Sequence, residues 1–408
     1  MNSDYKWNWK DVIFDEIVED SAFGPRFSGD AYDENGNIAT LRTTDIFEDG
    51  KISYETMPLA KLDETSFSKH FLRTDDLVIT RSGRVGTTAL FGIYHLPVLP
   101  GAFLIRFRLS NKAYPKFFRY WFNSRIGQQR LLSVSRGAAQ QNINITNVKK
   151  IKVPLPPLPI QKRIASILSA YDDLIENNRR RIQLLEQAAR MLYKEWFVRL
   201  RFPGHEHVKI VDGLPEGWER KKVPELIKIN PKVSKTNGTT IRYIPMSGLS
   251  TSGMSVNLQD SEYRDKSTSV RFRNGDTLFA RITPCLENGK TGFVNFLHED
   301  EIACGSTEFI VMRGFAVSQY FTYCLARTHD FREIAIKSMI GSSGRQRVQP
   351  SCFNDFHVAL PSKILLKQFD EYCDSIFCQI ESLSRQALKL NQARDLLLPR
   401  LMNGEMAV

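Results

Sequence analysis

Gly275-Asp276-Thr277-Leu278-Phe279-Ala280-Arg281 restates, late in the chain, what Asp75-Asp76-Leu77-Val78-Ile79-Thr80-Arg81 says early. Each stretch is an acidic turn, a short apolar run of strand type and an arginine that opens a polar loop. Further pairs bracket it in the same order. Trp9-Lys10-Asp11-Val12 and Trp218-Glu219-Arg220-Lys221 precede it. After it come Phe118-Arg119-Tyr120-Trp121 and Phe321-Thr322-Tyr323-Cys324, then Arg136 to Gln141 and Ile340 to Arg345. Val153-Pro154-Leu155-Pro156 and Val358-Ala359-Leu360-Pro361 close the two copies. A repeat of this size makes two similar domains, each able to bury its own core, rather than a solenoid.

The first copy reads as mixed α/β. Strands are predicted at Leu77-Thr80, Thr88-Ile93 and Phe103-Phe107, and one helix over Lys116 to Leu132 with Phe117, Tyr120, Trp121 and Ile126 on one side. Pro154, Pro156, Pro157 and Pro159 form a stiff lead-in to a long helix. Its apolar ladder is Ile160, Ile164, Ile167, Tyr171, Leu174, Ile182, Leu185, Ala189, Leu192 and Trp196, the spacing of a coiled-coil seam. The seam skips after Leu174, where Asn178 is expected to point inward. At 1.5 Å per residue such a rod is about 60 Å long. A second ladder, Leu365, Phe369, Tyr372, Ile376, Ile380, Leu383, Ala387, Leu390, Leu397 and Leu401, has an irregularity near the matching place, which suggests antiparallel packing of the two helices. The expected organisation is recognition-type domains over 1–155 and 203–361 with long helices over 156–202 and 362–408. The fold class is α/β (α+β) in tandem duplicate, pseudo-two-fold symmetric, joined by an antiparallel coiled coil.

A formal charge of +11 tilts the chain toward a polyanionic partner. All six cysteines fall between Cys285 and Cys378 without a C-x-x-C pair, so reduced thiols in a cytoplasmic protein are expected. Met1-Asn2-Ser3-Asp4-Tyr5-Lys6 has no signal-peptide character, and no apolar window is long enough to span a membrane.

Two loop pairs carry the chemistry expected of base and phosphate contacts. The first is Arg81, Ser82, Arg84 and Thr87 in one copy, and Arg281, Thr283, Asn288 and Lys290 in the other. The second is Arg136, Gln140, Gln141, Asn142 and Asn144, matched by Arg345, Gln346, Arg347 and Gln349. Arginine and lysine suit guanine O6 and N7, amides suit adenine N6 and N7, and glycines let a loop approach the backbone. No phosphate-binding loop, adenine-methyltransferase motif or histidine ligand spacing is present. Glu287-Asn288-Gly289-Lys290 downstream of Asp276 has the wrong spacing for a metal-dependent nuclease and lacks a counterpart in the first copy. The residues thus predict no catalytic, metal or cofactor site on this chain.

The chain resembles the specificity subunits of Type I restriction-modification systems. The resemblance rests on the Trp-led start of each half, on Leu278 to Lys290, on Gly305-Ser306-Thr307-Glu308-Phe309, and on Pro156-Pro157-Leu158-Pro159-Ile160-Gln161-Lys162-Arg163-Ile164. It implies that each domain reads one half of a split site in double-stranded DNA, and that the helices set the gap. It further implies two modification (methyltransferase) subunits using S-adenosylmethionine, and two restriction (endonuclease/translocase) subunits using ATP and Mg. Gly305–Phe309 has no clear match in the first copy, where Leu99-Pro100-Gly101-Ala102-Phe103 stands, so an asymmetric target is expected. The competing readings are a methylation-only system, a self-contained DNA enzyme and a protein-binding helical adaptor.

Overall fold

In the first copy, Leu77–Thr80 is buried at every residue because both faces of its sheet are covered. The computed structural model describes residues 9–135, 142–234, 240–258, 260–265, 269–298, 300–342, 344–406 and 408. Its strands in the first copy are β1 (Lys10–Ile13), β2 (Val18–Phe23), β3 (Ile38–Leu41), β4 (Leu59–Ala60), β5 (Leu77–Thr80), β6 (Thr88–Leu90), β7 (Val98–Pro100), β8 (Leu104–Leu109) and β9 (Lys152–Leu155). Helices α1 (Glu64–Phe67), α2 (Pro115–Asn123), α3 (Arg125–Ser133) and α4 (Ile145–Lys149) precede the long α5 (Leu158–Tyr193). A four-stranded sheet, β2-β8-β5-β6, faces a three-stranded one, β4-β3-β7. Side chains alternate across the larger sheet. Val78 and Leu104 join Leu41 and Val98 between the sheets, while Ile79, Ile105 and Phe107 pack on Phe117, Phe118 and Trp121.

The second copy has the hairpin β10 (Ile210–Val211) and β11 (Leu214–Pro215), then β12 (Glu219–Lys222), β13 (Ile227–Ile229), β14 (Ile241–Ile244), β15 (Glu262–Arg264) and β16 (Val270–Arg273). It continues with β17 (Thr277–Ala280), β18 (Thr291–Phe293), β19 (Ile302–Gly305), β20 (Phe309–Gly314), α6 (Gln319–Ala326), α7 (His329–Lys337), β21 (His357–Leu360) and α8 (Lys363–Met402). The larger sheet, β13-β20-β17-β18, has the strand order of the first copy's, and Leu278 and Phe279 again face opposite cores. The smaller sheet, β15-β14-β19-β16, gains an edge strand. In both copies one parallel pair lies in the smaller sheet, with Leu41 beside Pro100 and Ile244 beside Gly305.

A buried carboxylate locks each larger sheet. Asp76 accepts from Arg108 at 2.9 and 2.8 Å and from the Arg73 amide at 2.8 Å. Asp276 accepts from Arg313 at 2.6 Å through both oxygens and from the Arg273 amide at 2.9 Å. Each is 1% exposed, so losing its partners would strand a charge in the core.

The chain divides into two compact units, one of Met1–Leu174 with Lys389–Val408 and one of Ile175–Leu388. Each therefore takes part of α5 and part of α8, a partition that differs from separate domains and helices. In the first unit, Ile164, Ala165 and Leu168 of α5 and Leu401 and Met402 of α8 complete the core. Asp172 of α5 accepts from Arg394 of α8 at 2.7 Å and from the Tyr120 hydroxyl at 2.5 Å. In the second unit, Tyr193 and Trp196 pack edge-on or tilted against Phe369.

Several expectations need correction. The single helix over Lys116 to Leu132 is two helices, because Ser124 ends α2 and caps α3, its hydroxyl accepting from the Gly127 amide at 3.2 Å. A Cβ on Gly127 would meet the Trp121 carbonyl oxygen at 2.0 Å, so only glycine permits that turn. Leu174 and Tyr372 are exposed, at 52% and 59%, and Cys373 and Phe377 fill the place expected for Tyr372. The helices bury a broader face than a narrow seam because each also seals an α/β core. Asn178 is buried, as its spacing requires.

The start of α5 shows why its motif reads as it does. The fully buried Gln161 amide accepts from the Tyr114 amide at 2.7 Å and donates to the carbonyls of Lys112 at 3.1 Å and Pro156 at 2.8 Å. One side chain pins the helix to the loop before α2 and to its own proline-rich lead-in.

Candidate nucleic-acid interface

At the end of β5 the chain folds back on itself. Thr80 donates its amide to the Thr87 carbonyl at 3.0 Å and its hydroxyl to that of Arg84, and Gly86 donates to Thr80 at 2.8 Å. Gly86 has φ +91, a conformation costly for other residues. The next residue after the strand, Arg81, is a junction. Its amide donates to the Phe103 carbonyl at 2.9 Å and its carbonyl accepts from the Ile143 amide at 3.3 Å. Its guanidinium lies over the Phe23 ring at 4.6 Å and donates from Nε to Asn142 Oδ1 at 3.2 Å. The two loops of the first copy thus meet at Arg81.

Ser82 and Thr87 are half-buried, and Arg84 and Asn142 are exposed. Arg84 faces Glu48 at 3.6 Å, an exposed pair of little energetic weight. Asn144 caps α4, accepting from the Asn147 amide at 2.8 Å. Arg136, Gln140 and Gln141 lie outside the described residues.

The second copy repeats the junction with other side chains. The Arg281 amide donates to the Glu308 carbonyl at 3.0 Å and the Arg281 carbonyl accepts from Val348 at 2.8 Å. Its guanidinium turns inward to the Val348 carbonyl at 3.3 Å, leaving Nε buried without a partner. The Thr283 hydroxyl accepts from the Gln346 amide at 3.1 Å, and Ile282 bridges Arg347. Lys290 donates to the Met246 carbonyl at 2.9 Å, so it holds the loop to its neighbour. Asn288, Arg345 and Gln349 are exposed, and Gln346 is half-buried.

Matching hydrogen bonds show that Phe103 and Glu308 occupy one position. The Phe103 carbonyl accepts from Arg81 and the Glu308 carbonyl from Arg281. Leu99–Phe103 is therefore the structural counterpart of Cys304–Glu308, a match hidden by the loss of sequence similarity. The side chains diverge: Phe103 is 57% exposed, whereas Glu308 receives the Arg347 guanidinium in a fork at 2.9 and 2.8 Å.

Sequence spacing also missed the smaller sheet of the second copy. Arg264 sits 3.3 Å over the Tyr243 ring and Arg242 5.0 Å over that of Tyr263. The signal was Arg-Tyr adjacency in two segments far apart in sequence, which only strand pairing interleaves. Among the described residues no group of three or more His, Cys, Asp or Glu side chains is placed to hold a metal, and Asp276 is committed to Arg313. Among them, too, no helix is long and apolar enough to cross a membrane.

Comparison with known proteins shows what this scaffold is similar to. Residues 7–187 match the model of the Type I restriction modification DNA specificity domain. The first half of this chain is therefore similar to a Type I specificity domain. Beyond that domain, the chain is similar to the Type I restriction enzyme MjaIX specificity subunit of Methanocaldococcus jannaschii, 24% identical over 72% of this chain and 69% of the relative. It is 29% identical to the Type I restriction enzyme EcoAI specificity subunit of Escherichia coli over 44% of this chain and 32% of that one. The crystal structure of a Type I restriction-modification S subunit from M. genitalium shares the fold, with a TM-score of 0.56 at 15% identity over 98% of this chain and 97% of the other. Within the matched residues, Arg81 and Asn142 join the two polar loops.

Proposed function

We propose that this chain is the DNA-reading subunit of a Type I restriction-modification complex, a tandem duplicate that reads an asymmetric, two-part target. The observation that carries the reading is the repeated junction. In each copy the loop after β5 or β17 and the loop before the closing strand, β9 or β21, join at one arginine, Arg81 or Arg281. Side chains around each junction, Ser82, Arg84 and Asn142 in one copy and Asn288, Arg345 and Gln349 in the other, have the hydrogen-bonding capacity that base edges and phosphates require. The long helices act as an antiparallel spacer, a role favoured by Asp172 meeting Arg394 in one unit and Trp196 meeting Phe369 in the other. Half-sites on one face of DNA then lie about 34 Å apart, one helical turn. The helices also dock two methyltransferase subunits, which supply S-adenosylmethionine chemistry, and two restriction subunits supply ATP- and Mg-dependent translocation and cleavage. This chain itself is not catalytic.

Mapping methylated adenines in the host genome with and without the gene tests this directly. A single two-part, non-palindromic motif that disappears on deletion is expected. An unchanged methylation pattern overturns the assignment.

A further inference from the structure

The second unit contains a cavity that DNA reading leaves unused. It has a volume of about 940 Å³ and lies between the C-terminal part of α5, the α6–α7 junction and β21. Its charge is one-sided: Arg190, Lys194, Arg220, Arg327 and Arg332 line it, opposed by the single acid Asp330. The buried Glu186 lies 3.8 Å from both Arg190 and Arg327. That carboxylate is already committed, accepting from the Met254 amide at 2.8 Å and the Tyr323 hydroxyl at 2.7 Å. Among the described residues Arg332 has no carboxylate within ion-pair distance, and its Nε is buried without a partner. Burial first, and then the nearby Arg327 and Arg190, pulls the Arg332 guanidinium below its ordinary pKa.

Such a concave group of cations focuses positive potential and is relieved by an anion. The helix α7 begins at the same wall, and its N-cap, Thr328, makes no side-chain capping bond. The remaining walls, Tyr193, Phe197, Leu325 and Phe356, are apolar and aromatic. A ligand that satisfies both halves carries phosphate at one end and a flat, apolar-faced body at the other. The volume falls in the range of about 300–1,000 Å³ typical of small-molecule sites.

We propose that this cavity binds a phosphate ester of nucleotide size, its phosphates held by Arg190, Lys194, Arg220 and Arg332. Two of the lining arginines also reach the loop that contains Asn288. Arg327 donates to the Gly289 carbonyl at 2.8 Å, and Arg332 donates to those of Leu286 at 3.0 Å and Glu287 at 3.2 Å. A bound phosphate therefore orders that loop by fixing the guanidinium groups that hold it.

Titration calorimetry of the full chain without DNA, using ADP, adenosine and pyrophosphate, tests the site independently of sequence reading. ADP is expected to bind at one site, with adenosine at least about tenfold weaker. Lys194→Glu with Arg220→Glu, both on the exposed rim, should weaken ADP by about tenfold or more while leaving circular dichroism unchanged. Hydrogen exchange should show ADP protecting the amides of 286–290. Absence of ADP binding at millimolar concentration overturns the proposal, as does adenosine binding as tightly as ADP. Displacement of ADP by random-sequence duplex DNA also overturns it, making the cavity a backbone-phosphate contact.

Discussion

The junctions at Arg81 and Arg281 share their backbone and almost none of their side-chain chemistry. Both donate an amide to the loop after the parallel strand and accept one from the loop before the closing strand. Yet Arg81 stacks on Phe23 and binds Asn142, whereas Arg281 folds inward to Val348. Beside them an exposed Phe103 stands where Glu308 holds Arg347. The buried aspartates differ from this: Asp76 with Arg108 and Asp276 with Arg313 are the same device twice. Divergence is concentrated where side chains face solvent, and repetition where they are enclosed. If the two copies read different half-sites, as proposed, that division lets a shared frame present two different surfaces.

The largest expected effect tests the shared frame. Asp276→Ala strips Arg313 and the Arg273 amide of their acceptor and should cost about 3 kcal/mol, read by urea unfolding of the second unit. Asp76→Ala should cost the first unit the same within about 1 kcal/mol. A clearly unequal pair of losses would break the equivalence of the two frames.

The next effect separates the units by pH. Burial pushes the Asp172 carboxyl up, but the Tyr120 hydroxyl, Arg394 and Arg119 outweigh it and hold the group below its ordinary value of 3.8. Because the folded pKa is the lower one, the stabilisation is full above that ordinary value and is lost as pH falls through the folded pKa. Acid titration should therefore loosen the first unit below about pH 4, and Asp172→Asn should flatten that response at a cost of about 1–2 kcal/mol at neutral pH. An unchanged acid limb in the variant would remove Asp172 from this role.

Two smaller effects address the surfaces. Glu308→Gln weakens the hold on Arg347 and should change discrimination at one half-site by about tenfold, with the other untouched, in competition binding against single-base variants. Phe103→Glu should act on the other half-site alone. Asn288→Ala, an exposed change, should cost about 0.5–1.5 kcal/mol at the second copy's half-site. Uniform weakening across unrelated sequences would reassign Asn288 to phosphate.

Much of this frame was legible in the sequence because repetition is a signal that survives divergence when the repeated residues are buried. The Asp-Leu-Val-Ile-Thr-Arg stretch could be paired with its partner by eye, and both polar loops followed from it. That the two loops touch was not legible, because it depends on backbone bonds between residues as distant as Arg281 and Val348. Phe103 and Glu308 could not be aligned, since position rather than chemistry relates them. Heptad spacing located both long helices but misplaced Leu174 and Tyr372, because a periodic pattern does not report that a helix also packs on a domain. Lys290, Asn144 and Thr283 have the chemistry of readers and also fasten their loops, a second task that composition does not record.

The first unit is assembled from two separated stretches of chain, with Leu401 and Met402 in its core, whereas the second is one continuous run from Ile175 to Leu388. The core of the first unit is therefore sealed only when the last turns of α8 are present, whereas the second unit draws on nothing beyond Leu388. Nascent chains arrested after residue 388 and released into limited proteolysis should yield a resistant second unit and a digested first. Equal resistance of both would show that α8 adds nothing the first fold needs.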